Sequence, residues 1–155
     1  MAIVDGRELL RAAREGRYAV PAFNIFNLEM AQAVCRAAEA ERAPIVIQVS
    51  PRTVEYAGLA SIAAIARTQA EPLATPVALH LDHGPSRVAC EAALAHGFSS
   101  IMFDGSHLPW VENVAETRRI VDLAHAAGAS AEAELGEIGH ASHGDTGGSR
   151  TDPDE

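Results

Sequence analysis

Apolar strand-like runs alternate with helix-like segments five times along this chain, at a spacing of about thirty residues that suits strand, crossover helix and return. That alternation confines the fold to the α/β class with a parallel sheet. Asp5 followed by Glu8 has the pattern of a capping box ahead of Leu9, Leu10 and Ala13, and the opening helix stops at Gly16. The spacing predicts strands over 18–24, 44–50, 77–82, 100–104 and 130–135. Between them come a helix capped by Asn27 and running through Arg42, a second over 59–70, a third over 86–95 ended by Gly97, and a fourth opened by Leu108-Pro109 and ended by Gly128. Past Gly136 the alternation fails. Residues 144–149 are glycine-rich, and Thr151-Asp152-Pro153 has the look of a helix N-cap with no helix behind it. A truncated reading frame is therefore expected, with further strand–helix units encoded beyond it.

The 155 residues, 48% of them hydrophobic, suffice for one domain over 1–155. A net charge of −9 without any basic patch excludes a nucleic-acid or anionic-membrane partner. No apolar run approaches the ~18 residues of a membrane helix, and Met1 to Asp5 lack a basic segment followed by an apolar core, so a cytoplasmic protein is expected. Cys35 and Cys90 lack C-x-x-C spacing and fall inside helical patterns. Buried thiols in a reducing cytoplasm are the expectation. All twelve cationic side chains are arginine. Without lysine, side-chain Schiff-base chemistry is closed to this polypeptide.

The chemistry-bearing residues gather at strand ends: Asn24, Ser50, Asp82 with His83, Asp104 and Glu134. In a parallel α/β sheet those ends share one rim, where such folds keep their active sites. His80-Leu81-Asp82-His83-Gly84 is the densest of these stretches. Alternation puts His80 and Asp82 on one face, as it does Glu132 and Glu134. Carboxylates set into a sheet need compensation, and none of the expected strands contains an arginine. A divalent metal held by His83 with Asp104 or Glu134 answers that need; pairing with His80 or with backbone amides is the other answer.

The succession Pro21-Ala22-Phe23-Asn24, Gln48-Val49-Ser50, Tyr56-Ala57-Gly58, Pro76 to Gly84, Gly97 to Ser106 and Glu132-Ala133-Glu134-Leu135-Gly136 closely resembles the first half of the class II, zinc-dependent fructose- and tagatose-bisphosphate aldolases. The resemblance implies a (β/α)8 TIM barrel truncated to about its first five βα units. It also implies reversible cleavage of fructose- or tagatose-1,6-bisphosphate to dihydroxyacetone phosphate and glyceraldehyde 3-phosphate, a step of carbohydrate metabolism. By position, His83 matches a ligand of the catalytic zinc, Asp82 the group exchanging a proton with the C4 hydroxyl, and Asp104 with Glu134 a second metal position. Asn24 and Ser50 match the substrate rim. The metal takes the place of the lysine iminium of the other aldolase class, which agrees with the missing lysine.

Two departures qualify the resemblance. The family's remaining zinc histidines and most of its phosphate loops belong to later strands, so this chain alone is expected to be inactive. In addition, the acidic loop pair that supplies a base at C3 is replaced by a stretch containing His140, His143 and Asp145. Two other readings stand beside this one. His80-x-Asp82-His83 also suits a metal-dependent hydrolase, with His140 or His143 as a further ligand, although Ala78 stands where that motif wants histidine. An unfinished barrel would expose sheet edges, which makes a homo-oligomer or a non-catalytic, partner-binding half-barrel the remaining expectation.

Overall fold

A computed structural model describes residues 2–136. It contains helices α1 (Gly6–Gly16), α2 (Leu28–Glu41), α3 (Pro51–Ala57), α4 (Leu59–Ala70), α5 (Arg87–Ala95) and α6 (Trp110–Ala126), and strands β1 (Ala22–Asn24), β2 (Ile45–Val49), β3 (Val77–Gly84), β4 (Ser100–Phe103) and β5 (Ser130–Ala133). The strands form one parallel sheet in the order β1-β2-β3-β4-β5. Each strand pairs with its successor, so the sheet winds in one direction with no reversal. That is the winding of a (β/α)8 barrel, whereas a doubly wound sheet reverses its order in the middle.

Local chemistry fixes the helix ends. Asn27 Oδ1 accepts the Met30 N–H at 3.0 Å and Ser86 Oγ the Ala89 N–H at 3.3 Å, both standard N-caps. Asp5 caps α1 through the Arg7 N–H and also takes the Arg7 guanidinium at 2.6 Å; Arg7, where the capping box predicts Glu8, closes this helix start. α1 and α2 end on left-handed Arg17 and Arg42, with φ of 56° and 51°, while Gly97 and Gly128 take that role at 81° and 72°.

Four expectations shift, one of them outward: β3 runs two residues past 82, to Gly84. The first strand is shorter than 18–24, because two steps before Ala22↔Val46 the register would set Val20 opposite Pro44, and neither Pro44 nor Pro21 between them has an N–H to give. The fifth ends at Ala133, opposite Phe103, the last residue of its only strand neighbour among the described residues. α3 was not anticipated: seven residues are too few to display a period.

The core lies between sheet and helices. Ile45, Ile47, Val49, Val77, Leu79, Leu81, Ile101 and Phe103 point outward from the strands. Against them pack Cys35, Ala38, Ile62, Ala66, Ala93, Ile120 and Ala124 from the helices. Alanines let the helix axes approach the sheet closely, and each large aliphatic residue buried this way contributes about 2 kcal/mol. The opposite, inward face carries the polar residues Asn24, Gln48, His80, Asp82 and Glu132.

Candidate active site

β3 is the strand that makes the site. Leu81 pairs with Ile101, yet Gly84 pairs with Phe103, so β3 spends three steps where β4 spends two. The extra residue is a β-bulge, a device that re-aims side chains at sheet rims. Within it His83 sits in the left-handed region at φ 53°, tolerated by histidine better than by most residues at a cost of about 1 kcal/mol. Gly84 is obligatory, since a Cβ there would lie 2.6 Å from the Met102 carbonyl oxygen. In consequence the consecutive residues Asp82 and His83 both reach the rim and diverge along it.

Asp82 turns toward the first strands. Its carboxylate accepts from Asn24 Nδ2 and from Gln48 Nε2, each at 3.1 Å. Two neutral carboxamides therefore meet the charge that sequence reasoning assigned to a metal, to His80 or to backbone amides. Gln48 was missed as a site residue; its signal was a lone carboxamide in the apolar run Ile45–Val49, where a half-buried amide must find a partner.

His83 turns the other way. Its Nδ1 lies 2.8 Å from Asp104 Oδ2 and 3.3 Å from Glu134 Oε2. Asp104 is held in turn by the Ser106 hydroxyl at 2.6 Å and the Ser106 N–H at 3.2 Å. Burial pushes the His83 imidazole down, but the Asp104 hydrogen bond and the charges of Asp82, Asp104 and Glu134 outweigh it and the net shift is upward. Asp104 is pushed up by burial and pulled down further by Ser106 and His83, ending below its ordinary value. A divalent cation bound by these side chains would take over the charge compensation that the imidazole and the carboxylates now give one another.

One candidate donor atom from each of His83, Asp104 and Glu134 lies within 4.8 Å of the others. An imidazole with two carboxylates is a donor set for zinc and other divalent ions, and these strands bring no arginine to neutralise it. The residues present fit a metal.

One layer deeper, His80 is buried, with Nδ1 2.7 Å from Ser100 Oγ and Nε2 3.8 Å from Glu132 Oε2. Burial lowers its pKa to about 4 against the opposing pull of Asp82, so the ring is neutral. It is not part of the His83 group. Ser50 is the N-cap of α3, its hydroxyl 3.3 Å from Thr53 Oγ1, and stands half-buried at the end of β2. His140, His143, Asp145, the glycine-rich 144–149 and the cap at 151–153 lie outside the described residues.

A singly wound parallel sheet with a mixed imidazole–carboxylate cluster at the C-terminal ends of its strands defines a metal-dependent βα-barrel enzyme class. The sequence model of the family described as fructose-bisphosphate aldolase class-II matches residues 4–155, and the chain belongs to that family. It is 48% identical over 142 residues to the fructose-bisphosphate aldolase of Streptococcus pyogenes serotype M1, covering 90% of this chain and 48% of that protein. To the probable fructose-bisphosphate aldolase of Bacillus subtilis (strain 168) it is 44% identical, covering 90% and 50%. Among solved structures, a putative fructose-1,6-bisphosphate aldolase from Coccidioides immitis superimposes with a TM-score of 0.84 at 35% identity, over 96% of this chain and 54% of that one. The YdjI aldolase of Escherichia coli K12 gives 0.82 at 33%, over 89% and 53%. The chain thus spans about half the length of the curated relatives it matches. Membership of a metal-dependent lyase family displaces the hydrolase reading. Among the described residues no helix is long and apolar enough to cross a membrane.

Proposed function

We propose that this chain forms the first half of a zinc-dependent aldolase barrel that cleaves fructose- or tagatose-1,6-bisphosphate to dihydroxyacetone phosphate and glyceraldehyde 3-phosphate. The observation that carries the reading is the divergence of Asp82 and His83, one toward carboxamides and the other toward carboxylates. A group meant to move a proton must stay off the metal and remain fixed, and Asn24 and Gln48 do both for Asp82. Asp82 takes the proton of the C4 hydroxyl in cleavage and returns it in condensation. His83 would hold the zinc, and Asp104 with Glu134 a second divalent position. When bound, zinc supplies Lewis-acid polarisation of the substrate carbonyl. Asn24, whose Oδ1 is buried without a hydrogen-bond partner among the described residues, and Ser50 line the substrate rim.

The remaining strand–helix units of the barrel supply further zinc ligands and phosphate contacts, so the 155-residue chain by itself is inactive. The two free, buried cysteines support a reducing, cytoplasmic setting.

The test uses the complete barrel, with zinc measured by elemental analysis and both bisphosphates assayed with and without chelator. Asp82→Ala lowers turnover by about 10²- to 10⁴-fold while the metal stays. His83→Ala loses most of the zinc and the activity together. Activity that survives chelation, or an Asp82 variant with near-normal turnover, overturns the reading.

A further inference from the structure

Asn113 sits on helix α6 and not on a strand, yet it is buried to 4% exposure. Its Nδ2 donates to the backbone carbonyl of Glu134 at 2.9 Å. Its Oδ1 accepts from the Thr117 hydroxyl at 3.1 Å, one helical turn on. That second bond fixes which end of the amide faces Glu134, because an oxygen turned toward the carbonyl would repel it. The same Oδ1 lies against Gly105, where an added Cβ would come within 2.4 Å of it. One side chain of a helix therefore abuts the residue after Asp104 and is bonded to the backbone of Glu134.

The ladder explains why such a group is wanted. β4 and β5 pair only as far as Phe103↔Ala133, and both Asp104 and Glu134 stand one residue beyond that last pair. The last strand pair lies directly before the two carboxylates, and beyond it the Glu134 carbonyl is met by Asn113 from the helix. We propose that Asn113 is a positioning residue that locks the two carboxylate-bearing strand ends in register, and so sets the spacing of Asp104 and Glu134 for a divalent cation, with Thr117 fixing the amide. This rests on the reading of Glu134 as a metal ligand; Asn113 itself touches neither metal nor substrate.

The test measures Zn²⁺ and Co²⁺ affinity and the Co²⁺ absorption spectrum of the complete barrel, well below its unfolding temperature. Asn113→Leu keeps the shape and removes the donor; cation affinity at the Asp104–Glu134 position is expected to fall about tenfold, with an altered Co²⁺ spectrum, as for other groups that orient metal ligands. Thr117→Val leaves Asn113 in place but free to turn over, and a smaller loss with the same spectral change is expected. It also serves if Asn113→Leu fails to fold. Wild-type affinity and spectrum in either folded variant would overturn the proposal, since a merely structural role would lower the unfolding midpoint and leave both readouts untouched. Glu134→Gln separates the two failures: if it too binds the cation normally, Glu134 is no ligand and the parent reading falls; if it alone loses the cation, only the role of Asn113 does.

Discussion

His83 shows how much one backbone conformation decides. Alternation along a regular strand would send Asp82 and His83 to opposite faces; the bulge between Leu81 and Gly84 and the left-handed φ of 53° keep both at the rim. Both residues were legible as a motif, and so was His83 beside Asp104 or Glu134; the carboxamide partners of Asp82 were not, because Asn24 and Gln48 are supplied by two other strands. The Asp82 clamp yields a prediction. Gln48→Leu removes the donor to Asp82 Oδ1, so turnover falls while zinc content is unchanged, and stability drops by about 1 kcal/mol; loss of zinc in this variant would show that Gln48 acts through the metal instead. His80 yields another, since its folded pKa of about 4 lies below the ordinary 6.5. The unfolded chain takes up this proton first on acidification. Stability present above pH 6.5 is thus lost as the pH falls toward 4, by up to roughly 3 kcal/mol. His83 is shifted the other way; its contribution is complete below its unfolded value and lost as pH rises through the folded one, so it leaves the acid slope to His80. Urea unfolding at pH 7 and 4.5 should show the slope in the wild type and a weaker one in His80→Gln.

At the scale of elements, periodicity located every strand and all helices but α3, and the misplaced boundaries have physical causes. β1 is cut short by Pro44 in its partner together with its own Pro21, and β5 by the end of β4; of these only Pro21 can be seen in the segment it shortens. Turn glycines were read more securely, because a left-handed residue is a local demand. Gly128 has φ 72° and open space where a Cβ would stand. Gly128→Ala therefore isolates backbone strain from clash and should cost about 1 kcal/mol in thermal or urea unfolding; an unchanged midpoint would mean that the α6–β5 turn relaxes freely. α2 offers the matching test at a helix start. Asn27→Ala removes the bond to the Met30 N–H and should cost about 1 kcal/mol, with Asn27→Ser restoring most of it.

For the whole molecule, the described sheet ends in two unpaired edges, β1 and β5. Phe23 and Phe26 near the first edge are 43% and 45% exposed. Expressed alone, the 155-residue chain is expected to associate despite its charge of −9, since open parallel edges beside exposed apolar side chains favour pairing; a monodisperse monomer by light scattering with cooperative unfolding would contradict this. Such surfaces are what a complementary set of strand–helix units would cover. The order of elements, the parallel sheet and the grouping of Asp82, His83, Asp104 and Glu134 at strand ends were all determined by sequence, because periodicity, turn chemistry and residue type are local properties. The tertiary structure alone decided that Asp82 is held by Asn24 and Gln48, that His83 meets Asp104 and Glu134 both at once, that His80 lies apart in the interior with Ser100, and that Asn113 reaches from a helix to the end of β5. Those partners are separated by roughly 20 to 60 positions, and which of them meet depends on sheet register and on one bulge, quantities that exist only once the strands have paired.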